Sequence, residues 1–184
     1  MKALIMVDML NDFVDGAIAN QENANKIIPK IQQLLEHARN NPDWLIVYAN
    51  DLHTEKDREM EVWGPHAMEG TKGAEVIEAL KPTGLNREII SPKKFYGAFD
   101  QTNLDEELKK FDKVDEVVIT GQHTNCCIRH TSYNSFMRNY IITVPSDCVC
   151  LYKGTEADNT EALKYLKDIY GARITTSEEI LKSN

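Results

Sequence analysis

Apolar residues along the chain fall into two kinds of stretch: short continuous runs, and longer segments spaced for one face of a helix. The run Lys2-Ala-Leu-Ile-Met-Val-Asp8 is unbroken until its closing acid, as a strand buried on both faces of a parallel sheet requires. From Ala24 the apolar residues Ile27, Ile28, Ile31, Leu34, Leu35 and Ala38 recur at helical spacing, and Asn40-Asn41-Pro42 ends the pattern. Trp44 to Asn50 forms a second buried run, again followed by polar residues at Asp51 and His53. The pattern then predicts a short helix near Ala74 to Leu80, a weaker strand at Glu88 to Ile90 and a helix from Leu104 to about Phe111. Beyond these come a strand over Val114 to Gly121, a helix from Cys126 or Cys127 to about Met137, and a strand at Tyr140 to Val144. Ala162, Leu163, Leu166, Ile169 and Tyr170 share one face of a later helix, with Asp158 and Glu161 spaced as a capping-box variant. Ala172 to Thr175 and Ser177 to Leu181 complete the chain.

Strands alternating with helices imply right-handed crossovers, and hence an α/β fold: an open, mostly parallel, doubly wound sheet with helices on both faces, three layers in one domain spanning residues 1–184. Sites in such sheets collect at the carboxyl ends of the strands. No Gly-x-Gly-x-x-Gly or phosphate-loop motif follows any strand, so a dinucleotide or ATP site is not expected. Residues 51–73 carry many charges together with Trp63, Gly64, Pro65, Gly70 and Gly73, and resemble a functional excursion more than a domain boundary.

Composition removes several function classes. A formal charge of −8, with no basic run, disfavours nucleic acid. The apolar stretch Ala3 to Val7 is far too short for a bilayer span and lacks signal-peptide flanks, so no membrane association and a cytoplasmic location are expected. The four cysteines, Cys126, Cys127, Cys148 and Cys150, form two tight pairs and are read as reduced thiols; neither pair has zinc-knuckle spacing.

Reactive candidates follow three strand ends: Asp8, then Asp51 and His53, then Cys127. A cysteine near the first turn of a helix lies where unpaired N–H groups and the helix dipole favour a thiolate and can donate to an oxyanion. Each candidate also has an ordinary alternative: a buried inert thiol, an acid capping a turn, or, for Lys93 and Lys94, solvated surface amines.

Three segments taken together resemble the isochorismatase-like cysteine hydrolase superfamily, over nearly the whole chain. They are Ile5-Met-Val-Asp8-Met-Leu-Asn-Asp12-Phe13, Lys93-Lys-Phe-Tyr96-Gly-Ala-Phe99-Asp-Gln-Thr102-Asn-Leu104 and Thr120-Gly121-Gln-His-Thr124-Asn-Cys-Cys127-Ile-Arg-His-Thr131. The resemblance implies a catalytic triad of Asp8, Lys93 and Cys127, with Lys93 preferred to Lys94 by its distance from Gly97. It also implies an oxyanion hole from the backbone N–H groups of His123 and Cys127, beside a cis peptide between Gln122 and His123. The chemistry is coherent: an ammonium favours thiolate, while a carboxylate can accept the thiol proton and return it to a leaving amine. Members that retain the cysteine hydrolyse amides through an acyl-enzyme, whereas isochorismatases proper lack it.

Asp51-Leu-His53 followed by Trp63-Gly-Pro-His66 is similar to the metal-binding stretch of nicotinamidases, and Glu59 fits an acidic fourth ligand. By that resemblance a divalent ion, commonly zinc, orients the substrate, and Phe13, Trp63 and Tyr96 wall a flat ring. Asn125, Gly97 and Gly64-Pro65 depart from the nicotinamidase pattern. The expected activity is hydrolysis of nicotinamide or a similar small amide to acid and ammonia. The alternatives are a metal-independent hydrolase of the N-carbamoylsarcosine type, a thiol redox protein using Cys126 and Cys127, and a Cys–His dyad using His123 or His130. A homo-oligomer is implied by the resemblance alone.

Overall fold

The computed structural model describes residues 1–183. All seven strands are parallel: β1 (Lys2–Val7), β2 (Trp44–Asp51), β3 (Glu88–Lys93), β4 (Glu116–Gln122), β5 (Ile141–Pro145), β6 (Val149–Cys150) and β7 (Arg173–Thr175). Their order is β3-β2-β1-β4-β5-β7, with β6 added beside the end of β4. The chain leaves β1 toward β2 and β3 and later returns to β4 on the other side, so β1 and β4 flank the switch point where such sheets open a crevice.

Side chains alternate across the sheet and divide the core in two. Ala3, Ile5, Val7, Val47, Ala49, Val117 and Ile119 pack on one face with α4 (Leu104–Leu108), α5 (Cys127–Met137) and α6 (Glu156–Tyr170). Leu4, Met6, Trp44, Ile46, Tyr48 and Val118 pack on the other with α2 (Gln21–Asn40) and α7 (Ser177–Lys182). The three expected layers are present. At the switch point Gly121 has φ of 109°, and a Cβ there would lie 2.0 Å from the Val7 carbonyl oxygen, so only glycine lets β1 and β4 run side by side at this level.

Several boundaries differ from the sequence reading. The segment Ala74 to Leu80 is not one helix but two 3₁₀ turns, Lys72–Ala74 and Glu78–Leu80. Between them the chain is drawn out against the β1 loop: Asn11 N–H donates to Glu75, Ile77 N–H donates to Met9, and Leu10 bridges Val76. Strand β3 continues through Pro92 to Lys93, which an edge strand permits. The capping box of α6 is Thr155 with Asp158, one helical turn earlier than Asp158 with Glu161. Two short helices, α1 (Asn11–Val14) and α3 (Met60–Trp63), carry no periodic signal because neither completes two turns.

Candidate active site

Strand register brings the polar cluster together. Asp51 and Lys93 are paired residues at the ends of β2 and β3, and both side chains share the face that holds α5 and Cys127. Asp8 lies just past β1 with φ of 52°, and its carboxylate turns back across the strand ends. Lys93 is 1% exposed; its Nζ donates to Asp8 Oδ2 at 2.8 Å and to Asp51 Oδ1 at 2.5 Å, and lies 3.8 Å from Cys127 Sγ. Asp8 Oδ1 accepts the Asp51 backbone N–H at 2.7 Å. Ligand atoms of Asp8, Asp51 and Cys127 all lie within 4.8 Å of one another.

Burial opposes the charge on Lys93, but Asp51 and Asp8 outweigh it and hold the amine well above its ordinary value. Asp8 moves the other way: burial and the Asp51 charge outweigh Lys93 and push its carboxyl up to about 6. The Cys127 thiol, expected to be lowered at the start of α5, is instead raised: the adjoining Cys126 thiol and burial push it up, and the Lys93 ammonium only partly offsets them. Asp8, a carboxyl of raised proton affinity, lies beside it in an arrangement suited to proton transfer.

The second carboxylate oxygen of Asp51 faces a different group of side chains. His53 Nε2 lies 3.6 Å from Asp51 Oδ2 and 3.8 Å from Glu59 Oε2; His66 Nε2 lies 3.9 Å from each of the same two oxygens. All four residues are buried, and their ligand atoms lie within 4.8 Å of one another. His66 Nδ1 is 2.7 Å from the Gly64 carbonyl, which can only accept, so Nδ1 carries the proton and Nε2 presents a lone pair. His53 Nε2 and Glu59 Oε1 are buried with no hydrogen-bond partner. Ligands on a tetrahedral zinc lie roughly 3.3–3.6 Å apart, so these donors need close only slightly to hold a divalent ion. Burial and the Asp51 charge push Glu59 up to about 7, and burial lowers His66.

Phe13, Trp63 and Tyr96 line one cavity with Cys127, Asp51, Glu59 and His66. Trp63 Nε1 donates to the Tyr96 hydroxyl at 3.2 Å. The cavity is small, enclosing about 220 Å³ of non-atom space with its open mouth included. The peptide between Gln122 and His123 is cis, and Cys127, first residue of α5, carries an N–H with no intrahelical acceptor. Among the described residues no hydrogen bond joins Cys127 to His123 or His130; His130 Nδ1 instead lies 2.8 Å from the Cys126 carbonyl. The four cysteines are free thiols.

A model of the isochorismatase domain matches residues 2–179. The chain belongs to the isochorismatase family. Among solved structures of that fold it is similar to an N-carbamoylsarcosine amidase from Thermoplasma acidophilum, at 33% identity and TM-score 0.86, covering 96% of each chain. A pyrazinamidase/nicotinamidase from Streptococcus mutans UA159 is 31% identical with TM-score 0.85, over 95% of this chain and 99% of that one. A pyrazinamidase of Pyrococcus horikoshii in complex with zinc is 28% identical with TM-score 0.80, over 95% and 98%. Among the described residues of this family member no helix is long and apolar enough to cross a membrane.

Further residues build the site. Gln122, fully buried, donates to the carbonyls of Asp8 and Phe13 and accepts from Asn20, tying the loop after β1 to the end of β4. Asp12 accepts the backbone N–H groups of Ala67 and Ala17 and so fixes the 51–73 excursion beside His66. Asp12 belongs to the Ile5–Phe13 segment that carries the family resemblance. Gln122 and Asn20 are 102 positions apart, and no spacing links them.

Proposed function

We propose that this protein is a cysteine amidohydrolase that converts nicotinamide or a similar small planar amide to the acid and ammonia. The observation that carries this reading is Lys93: a fully buried ammonium bonded to Asp8 and Asp51 and within 3.8 Å of Cys127 Sγ belongs to an ionic set that apolar residues replacing all its members would match in stability, so the set points to chemistry. Asp8 takes the thiol proton as Cys127 Sγ bonds to the amide carbon, and the N–H groups of His123 and Cys127 receive the developing oxyanion. The carbon–nitrogen bond then breaks, Asp8 passes its proton to the departing nitrogen, and ammonia leaves a thioester on Cys127. Asp8 next draws a proton from water, whose oxygen attacks the thioester, and the acid is released with the thiol restored. Lys93 holds both carboxylates in place throughout.

Asp51, His53, Glu59 and His66 would hold a divalent ion, for which two imidazoles and two carboxylates suit zinc, iron or manganese. Such an ion supplies a Lewis-acidic anchor for a donor atom of the substrate. Phe13, Trp63 and Tyr96 supply flat surfaces for the ring. A second reading, hydrolysis of a ureido compound such as N-carbamoylsarcosine, is supported by the 33% identity to an amidase of that name.

Ammonia release from nicotinamide and, separately, from N-carbamoylsarcosine by zinc-supplemented protein tests both, with Cys127→Ala as the control. Turnover of nicotinamide that depends on Cys127 supports the first reading. Turnover of the carbamoyl compound alone replaces it with the second, and release that survives Cys127→Ala overturns both.

A further inference from the structure

The imidazole of His123 has no place in the proposed chemistry, which uses only its backbone N–H. It is 2% exposed, lines the same cavity as Cys127, and its Nε2 is buried with no hydrogen-bond partner in the protein. Its orientation is set by packing: the Phe13 ring lies 5.6 Å away at 33° and the Tyr152 ring 5.2 Å away at 50°. Polar atoms buried at such a depth are nearly always paired, so an unpaired one on a residue that lines a ligand cavity points to a partner that a ligand brings.

Phe13 fixes where that partner would be. Its ring packs against His66 of the metal-type cluster at 5.7 Å and against His123 at 5.6 Å, so the two imidazoles flank one aromatic surface. A flat molecule lying on Phe13 would come near both imidazoles. In the proposed chemistry the ring nitrogen of nicotinamide is taken by the metal-type cluster and its carboxamide by Cys127 and the two oxyanion N–H groups, which leaves no third polar group for the His123 ring.

We infer that His123 is a specificity-determining residue whose ring nitrogen hydrogen-bonds a further polar substituent of the substrate, such as a hydroxyl. This rests on the amidohydrolase reading, and it narrows the substrate class to small amides carrying a hydrogen-bonding group in addition to the scissile amide and the metal-facing atom. Burial that favours the uncharged imidazole leaves it both a donor and an acceptor, so a neutral hydroxyl is matched as well as a carbonyl.

The test compares nicotinamide with its ring-hydroxylated derivatives, each separately, in wild type, His123→Phe and His123→Gln. Dissociation constants are measured in the Cys127→Ala background beside kcat and KM in the active protein. Wild type is expected to favour at least one hydroxylated amide over nicotinamide by about tenfold or more, since a site that hydrogen-bonds a substrate hydroxyl rejects the analogue lacking it. His123→Phe, which keeps a ring against Phe13 and Tyr152, should erase that ratio, and His123→Gln should restore part of it. A ratio that survives His123→Phe, or the absence of any preference in wild type, overturns the inference. Should no amide be hydrolysed, the amidohydrolase reading fails while the dissociation constants still decide the role of His123: a hydroxyl preference lost in His123→Phe upholds it, and equal binding overturns it.

Discussion

Around Lys93 the polar atoms find partners within the protein: the ammonium reaches Asp8 and Asp51, and Asp8 holds the Asp51 backbone. Around His53, on the other side of the same Asp51 carboxylate, they do not: two imidazoles and two carboxylates stand 3.6–3.9 Å apart, with His53 Nε2 and Glu59 Oε1 unpaired. Both clusters are equally buried, so solvent does not explain the contrast. The first is a closed charge network that the fold completes alone, and the second is a donor set that a cation would complete. Asp51 belongs to both, one oxygen each, although its position before His53 marks it only as a metal-type ligand. Loss or gain of an ion there would be felt at Lys93 through a single carboxylate.

The largest expected effect falls on the closed network. Cys127→Ala should lower amide turnover by at least about 10³-fold without unfolding the protein, since removing a nucleophile abolishes the covalent route while leaving binding intact. Cys126→Ala should retain the bulk of the rate; equal losses in the two variants would move the nucleophile off Cys127. Lys93→Met should cost about 3–5 kcal/mol of stability by stranding Asp8 and Asp51 as unpaired buried acids, a loss visible in the urea midpoint. An unchanged midpoint would mean that the lysine charge does not hold this network.

Ion removal addresses the open half. Zinc at about a hundred times its dissociation constant contributes about 2.7 kcal/mol, or roughly 5–10 °C in melting temperature for a chain of this size. Chelation should reverse that shift yet leave Cys127 open to alkylation, and His53→Ala should remove the zinc response. A melting temperature indifferent to zinc would make the four donors a polar cluster of another kind. The smallest effect belongs to Lys94, half-exposed and 3.0 Å from Asp57: Lys94→Ala should change stability by under about 1 kcal/mol. A rate loss comparable to that of Lys93→Met would exchange the two lysines.

Residues whose role depends on strand ends were legible from the chain. A buried apolar run that stops at an acid fixes where Asp8 and Asp51 emerge, and the resemblance named Lys93, Cys127 and the four metal-type ligands that the fold draws together. What escaped the sequence is whatever tertiary contact decides. Val76, Ile77 and Leu80 have helical spacing, but pairing with Met9 and Leu10 extends the chain there. The thiol of Cys127 reads as lowered at a helix start until its burial and the adjoining Cys126 thiol are seen. Asn20 and the ring of Tyr152 reach Gln122 and His123 from positions with no motif of their own.

The central claim, that Cys127 forms a covalent acyl intermediate, is most directly tested by intact mass spectrometry of the protein quenched during turnover of nicotinamide or N-carbamoylsarcosine. A mass increase equal to the acyl group, mapped to Cys127 and lost in Cys127→Ala, is the predicted result. Sustained ammonia release with no adduct on Cys127, in a protein whose Cys127→Ala variant remains active, would contradict it.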